Sequence, residues 1–384
     1  MSVTAPLGFR AAGVAAGLKE SGQPDVAVVL NDGPSRAAAA VFTANRVQAA
    51  PVIWTRQVVS GGRVRAVALN SGGANACTGA LGFQDAHATA EQLAVAIGDS
   101  AGEMAVCSTG LIGERLPMDK LLPGVEAAVA EASRAGGLAA ADAIRTTDTV
   151  VKIAFRKGAG GYTVGGMAKG AGMLAPALAT MLCVLTTDAD LSSAELDAAL
   201  RSAAAVTFDR LDTDGCMSTN DTVLLLASGA AGVRPEVGEF TVTLTGVCAD
   251  LARQLQLDAE GAEKMIMIEV VGAASEADAV TAGRAVARNN LLKCAIGGED
   301  PNWGRVLAAV GTTHAVFEPD RLNVAINGVW VCRHGAAGDE RSKVDLAPKD
   351  VRITVDLSAG PHSAVILTTD LTTAYVHENS AYST

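Results

Sequence analysis

The chain has 384 residues, 49% of them hydrophobic and only 3% aromatic, so it can bury a sizeable core of Ala, Val and Leu, and its length suggests two lobes. A net charge of −11 argues against a nucleic-acid surface, which needs clustered Lys and Arg, and leaves small molecules as the expected partners. No apolar run reaches the roughly 18 to 20 residues that span a bilayer, and the N-terminus lacks a basic stretch leading into an apolar one, so no membrane partner is expected and a cytoplasmic location is.

In chain order, short β-like runs at 25–30 and 64–70 precede a helical pattern at 84–98. An Ala-rich helix follows at 124–145, with Val125, Ala128, Val129 and Ala132 on one face. The alternation indicates an α/β fold. The segment 165–189, GGMAKGAGMLAPALATMLCVLTTDA, crowds glycines around Lys169, crosses Pro176 and enters a buried strand at MLCVLTT. Ser192 and Glu195 stand three apart, as in a capping box. The polar stretch 208–222 is long and without regular pattern, which suggests a ligand-facing loop. Strand-like TVLLLAS follows it. Residues 239–261 read as strand then helix, 264–273 as strand and 275–298 as helix; 321–331, 351–358 and 363–371 alternate like strands. The Gly- and Pro-containing stretch 228–239 is the best boundary.

Seven cysteines are scattered without a CxxC pair or a close Cys/His spacing, which suggests buried, reduced thiols and no metal. The glycine cluster does not fit a phosphate loop: Lys169 precedes Gly170, no Ser or Thr follows it, and the dinucleotide-binding spacing is missing. Nor is there a G-x-S-x-G elbow, and the five histidines lie far from any small nucleophile in a glycine-rich turn.

A threonine that supplies its own base remains. A cut before Thr180 would leave a hydroxyl nucleophile and a free α-amine on one residue, the amine having a reference pKa of about 7.7 to 8.0. Ala179 is small, and Pro176 can hold a bend that strains the peptide bond to be cut. Taken locally, the plainer reading is a half-buried threonine at the start of a strand. Both readings stand on local features.

Segment 165–189 resembles the self-cleavage region of the ornithine acetyltransferase (glutamate N-acetyltransferase) family. So do NSGGANACTG (70–79), CSTGLIGERLPMDK (107–120), TTDT (146–149), TNDT (219–222), DAEGAEK (258–264), GEDPNWGR (298–305) and HENSAYST (377–384). The resemblance covers nearly the whole chain. It implies a two-lobed α/β architecture of mixed sheets layered with helices, like the self-cleaving acyltransferases with an N-terminal nucleophile. The α-chain would be residues 1–179 and the β-chain residues 180–384, with a C-terminal lobe beginning near 235.

It also implies the roles. Cleavage falls between Ala179 and Thr180, Thr180 is the nucleophile, and Thr109 and Gly110 form the oxyanion hole. Thr146 or Thr147, Lys169, Thr180, Glu260, Asn379 and Thr384 contact substrate, while Asn302, Trp303 and Arg305 shape the site. Lys169 suits a substrate carboxylate and Glu260 a substrate ammonium. The implied substrates are N-acetylornithine and glutamate, with acetyl-CoA as a further possible donor. No metal or organic cofactor is required, and the family assembles as an α2β2 heterotetramer. Deleting residues 379–384 is expected to abolish transfer. A self-cleaving amidohydrolase or aminopeptidase, and a metabolite-binding protein without activity, are the alternatives.

Overall fold

A computed structural model describes residues 2–174 and 181–381. These divide into two compact units, residues 2–209 with 216–255 and residues 210–215 with 256–381.

The first unit holds β1 (Phe9–Val14), β2 (Val26–Asn31), β3 (Ala38–Phe42), α1 (Ala50–Ser60), β4 (Ala66–Asn70), α2 (Gly79–Ile97), β5 (Met104–Ser108), α3 (Met118–Glu131) and α4 (Gly137–Ala143). It continues through β6 (Lys152–Lys157), β7 (Thr163–Lys169), β8 (Leu182–Thr187), α5 (Ser193–Val206), β9 (Thr222–Ala227) and α6 (Val237–Leu257), the last as far as Leu255. One sheet runs β1-β2-β4-β5 and the other β3-β9-β8-β7-β6; β4-β5 and β8-β9 are parallel and all other neighbours antiparallel.

Alternating side chains assign each strand two faces. Ala27, Val29, Val67 and Leu69 of the first sheet share a core with Met167, Leu182, Val184 and Leu224 of the second. The opposite face of the first sheet, through Val26, Val28, Leu30 and Val106, packs on Leu93 of α2 and Leu121 and Val125 of α3. Behind the second sheet, a Cβ on Gly166 of β7 would meet Leu185 and the α6 residues Val247 and Leu251. The order is therefore helix, sheet, sheet, helix, and burial on both faces explains the continuous apolar runs of β2, β4, β8 and β9.

The second unit contains β10 (Met265–Ala273), α7 (Glu276–Ala287), α8 (Asn290–Gly297), α9 (Trp303–Val310), β11 (Asn323–Ile326), β12 (Val329–Arg333), β13 (Ala336–Ala337), β14 (Asp350–Asp356), β15 (His362–Thr369) and α10 (Thr373–Ala381). Its sheet runs β13-β12-β11-β14-β10-β15, with β10-β14 parallel. Ile268 and Val270 of β10 and Ile353 and Val355 of β14 build its core with Ala282 and Val286 of α7.

Several sequence expectations are corrected. The single helix at 124–145 is two, because Ser133 leaves the helix to exchange backbone hydrogen bonds of 3.0 Å in each direction with Ala11 of β1. The strand expected from 239 is the start of α6. Buried Phe240, Leu244, Val247, Leu251 and Leu255 recur every three or four residues, whereas Val242 is 73% exposed. The alternating Thr241, Thr243 and Thr245 that suggested a strand donate their hydroxyls to carbonyls four residues back. The helix at 275–298 is broken at Asn289, whose side chain caps α8 by accepting from Leu292 N. The strand-like reading of 321–331 holds: β11 and β12 pair as a hairpin turning on Asn327 and Gly328, with φ of 46° and 84°. The boundary stretch 228–239 lies inside the first unit.

The capping box at Ser192 and Glu195 forms as expected. Among the described residues no cysteine is in a disulfide; Cys107, Cys183, Cys248 and Cys332 are buried, but Cys77, Cys216 and Cys294 are exposed. Among the described residues no helix is long and apolar enough to cross a membrane.

Candidate active site

The glycine cluster of 165–172 is not a loop throughout. Gly165 and Gly166 lie within β7, where a Cβ on Gly165 would come within 2.3 Å of the Ser2 carbonyl. Small residues let the chain pass here, and the strand carries Lys169 to its last position. Lys169 pairs in register with Leu182 of β8, and Leu182 with Thr222 of β9. The end of β7 and the beginnings of β8 and β9 therefore lie side by side at one end of the second sheet's central strands.

Lys169 is 2% exposed. Its Nζ donates to Thr146 Oγ1 at 2.6 Å and to Thr109 Oγ1 at 3.3 Å. Behind it Asp148 is buried, 3.8 Å from Lys169 Nζ through Oδ2 and 2.6 Å from Lys152 Nζ through Oδ1. The Asp148 carboxylate also accepts the backbone N–H groups of Gly170 at 2.6 Å and Thr146 at 3.1 Å. Burial alone would raise this carboxyl. The charges of Lys169 and Lys152, with the Gly170 N–H, outweigh it and hold the pKa at about 2. The one ionised aspartate thus faces both buried lysines.

Thr109 and Gly110 follow the last residue of β5. Thr109 is fixed by its backbone: its N–H donates to Asn70 O at 3.0 Å and its carbonyl accepts from Gly73 N at 3.1 Å. Gly110 has φ of +128°, and a Cβ there would lie 2.5 Å from Gly73 N. Only glycine fits this position. The supporting loops are tied together by amides: Asn70 Nδ2 donates to Gly73 O at 3.0 Å, and Asn220 Nδ2 to Ala74 O at 2.6 Å and Ser108 O at 2.8 Å.

Asp221, fully buried, accepts the Met181 N–H at 3.1 Å, and Thr222 N donates to Met181 O at 3.2 Å. Burial pushes the Asp221 carboxyl well up, against the pull of the Met181 N–H and the Lys169 charge. Met181 is thereby gripped on both sides of its peptide just ahead of β8.

Of the residues expected at the site, Thr109, Gly110, Thr146 and Lys169 are brought together in the first unit, where the Thr146 hydroxyl lies on Lys169. In the second unit, partly buried Glu260 accepts from Asn379 Nδ2 at 3.0 Å through Oε2. Asn302 donates to Asp300 at 2.9 Å, Trp303 packs on the unit's core, and Arg305 donates to Leu291 O. Ala179, Thr180 and Thr384 lie outside the described residues. Asn70, Asp148, Lys152, Asn220 and Asp221 were not singled out from sequence. The signal was present, since all but Lys152 fall inside the segments 70–79, 146–149 and 219–222.

A buried cation held between two hydroxyls, one of them next in sequence to Gly110, can stabilise negative charge on an oxygen. The pattern of the ArgJ family matches residues 10–384. The arginine biosynthesis bifunctional protein ArgJ of Thermobifida fusca (strain YX) is 74% identical over the full length of both chains. ArgJ 1 of Streptomyces clavuligerus, an arginine biosynthesis bifunctional protein, is 68% identical over the full length of both. A crystal structure of ornithine acetyltransferase complexed with ornithine from Mycobacterium tuberculosis shows 60% identity, covers 47% of this chain and 96% of its own, and has a TM-score of 0.45. The chain belongs to the ArgJ family and is an acyltransferase of arginine biosynthesis.

Proposed function

We propose that the chain cuts itself between Ala179 and Thr180 and then transfers an acetyl group from N2-acetylornithine to glutamate through an acetyl ester on Thr180. The observation that carries this reading is the Thr109 hydroxyl held on the buried Lys169 and followed in sequence by Gly110, whose φ of 128° only glycine adopts.

Cutting consumes one water: Thr180 Oγ attacks the Ala179 carbonyl, the acyl group shifts from nitrogen to oxygen, and water hydrolyses the ester, freeing the Ala179 carboxylate and the Thr180 α-amine. The Thr180 α-amine takes the hydroxyl proton as Oγ attacks the acetyl carbonyl. The oxygen that becomes negative receives hydrogen bonds from Thr109 Oγ1 and Gly110 N–H. The bond from acetyl carbon to the substrate nitrogen breaks, the nitrogen takes the proton, and ornithine leaves. Glutamate then attacks the ester with its amine, and Thr180 recovers its proton.

In this reading Thr146, Thr147, Lys169, Glu260, Asn379 and Thr384 form the substrate contacts, and the α- and β-chains assemble as α2β2 in the cytoplasm. Acetyl-CoA serves as a second donor, in keeping with the word bifunctional carried by the relatives.

Incubation with N-acetylornithine, with and without glutamate, tests the assignment. N-acetylglutamate formation that requires glutamate and Thr180 supports it. Release of free acetate at the same rate in either case would make the protein a hydrolase instead.

A further inference from the structure

We infer that Lys169 acts on the reaction through Thr109, as the residue that orients and acidifies the oxyanion-hole hydroxyl, and not only as a partner for a substrate carboxylate. This rests on the transfer reaction proposed above.

An ammonium group has three donors and no acceptor. Lys169 Nζ lies 2.6 Å from Thr146 Oγ1 and 3.3 Å from Thr109 Oγ1, so both hydroxyl oxygens act as acceptors toward it. A hydroxyl whose oxygen is occupied by a cation has its own hydrogen directed elsewhere and made a stronger donor. The Thr109 hydrogen is therefore turned away from Lys169 and available to an incoming oxyanion.

The charge that does this is fixed in place. Asp148 faces Lys169 Nζ at 3.8 Å, and its own position is set by Lys152 Nζ, Gly170 N and Thr146 N. Because Lys152, Asp148 and Lys169 are all buried, the field at Thr109 is little screened by solvent. Thr109 itself cannot drift, since its backbone is bonded to Asn70 and Gly73. Lys169 is on this account a positioning residue for the transition state.

The two roles predict different kinetics. Loss of a substrate-carboxylate contact raises KM, whereas loss of an oxyanion-hole donor lowers kcat. The test is a double-mutant cycle of Lys169→Met and Thr109→Val on the full chain, with KM and kcat measured for N-acetylornithine. Thr109→Val is expected to lower kcat by about 100- to 1,000-fold, and Lys169→Met by a smaller factor.

The double variant should match Thr109→Val alone in kcat within about twofold, because the route from Lys169 to the oxyanion through the Thr109 hydroxyl is gone. Thr109→Ser, which keeps the hydroxyl, should retain sensitivity to Lys169→Met. Where a variant arrives uncut, the same cycle is read on the rate of chain cutting, which also passes through an oxyanion.

Losses that multiply in the double variant, or a Lys169→Met effect confined to KM, would overturn the inference. Absence of acetyl transfer in the unmodified protein would instead overturn the reading on which it rests.

Discussion

Asp221 accepts the backbone N–H of Met181 at 3.1 Å, and the next residue, Thr222, donates to the carbonyl of the same Met181. Asp221, the last residue before β9, and Thr222, the first of that strand, thus fix the residue that follows Thr180. Asp221→Ala leaves the Met181 N–H without this acceptor in a buried setting, at a cost of about 1 to 3 kcal/mol. It should also slow chain cutting. Asp221→Asn keeps an acceptor oxygen and should cut faster than Asp221→Ala. Urea denaturation and a time course of fragment appearance measure both effects; equal stability and cutting in Asp221→Ala and the unmodified chain would contradict this role.

Asp148 gives a prediction in pH. Its carboxyl is held at about 2 in the fold against a reference of 3.8. The native state thus binds fewer protons than the unfolded chain in that range, and the stabilisation is complete above about pH 4 and lost as pH falls toward 2. The contribution is of order 2 kcal/mol. Asp148→Asn should be less stable near pH 5 and should show a flatter decline between pH 4 and 2. Denaturation midpoints across this range are the measurement; parallel curves for the two proteins would contradict the ion-pair account.

Gly110→Ala would place a Cβ against the Gly73 backbone at a φ of +128°. The loop must shift, and with it the N–H proposed for the oxyanion. The expected outcome is a fall in kcat of about 100-fold or more with a modest change in KM. Transfer kinetics at saturating N-acetylornithine give the answer, and an unchanged kcat would remove Gly110 from the proposed machinery.

Much of the fold was legible because several of the first unit's strands are apolar runs and its turns carry their own chemistry. β2, β4, β8 and β9 fall where the apolar runs stand, and Ser192 caps α5 as its spacing to Glu195 requires. What failed was local pattern overridden by tertiary contact. Alternating Thr and Val suggested a strand where α6 forms, since the deciding periodicity is that of Phe240, Leu244, Val247 and Leu251. The break after α3 depends on Ser133 pairing with β1, a partner more than a hundred residues away in sequence.

At the site, Thr109, Gly110, Thr146 and Lys169 were named from sequence through resemblance, and the fold gathers them. Their supports were harder to see. Asp148 and Lys152 look like ordinary charged residues until burial places them together at 2.6 Å. Asn220 looks like one more polar loop residue until its amide bridges Ala74 and Ser108. Charge and polarity are visible in a sequence; desolvation and pairing are not.

The central claim is that Thr180 becomes a chain terminus and then carries the acetyl group. Denaturing mass spectrometry of the purified protein, before and after brief incubation with N-acetylornithine, tests it most directly. The account predicts two chains, residues 1–179 and residues 180–384, with a single added acetyl group on the second that localises to Thr180 and disappears when glutamate is added. A single intact chain that nevertheless transfers acetyl, or an acetyl group on any other residue, would contradict it.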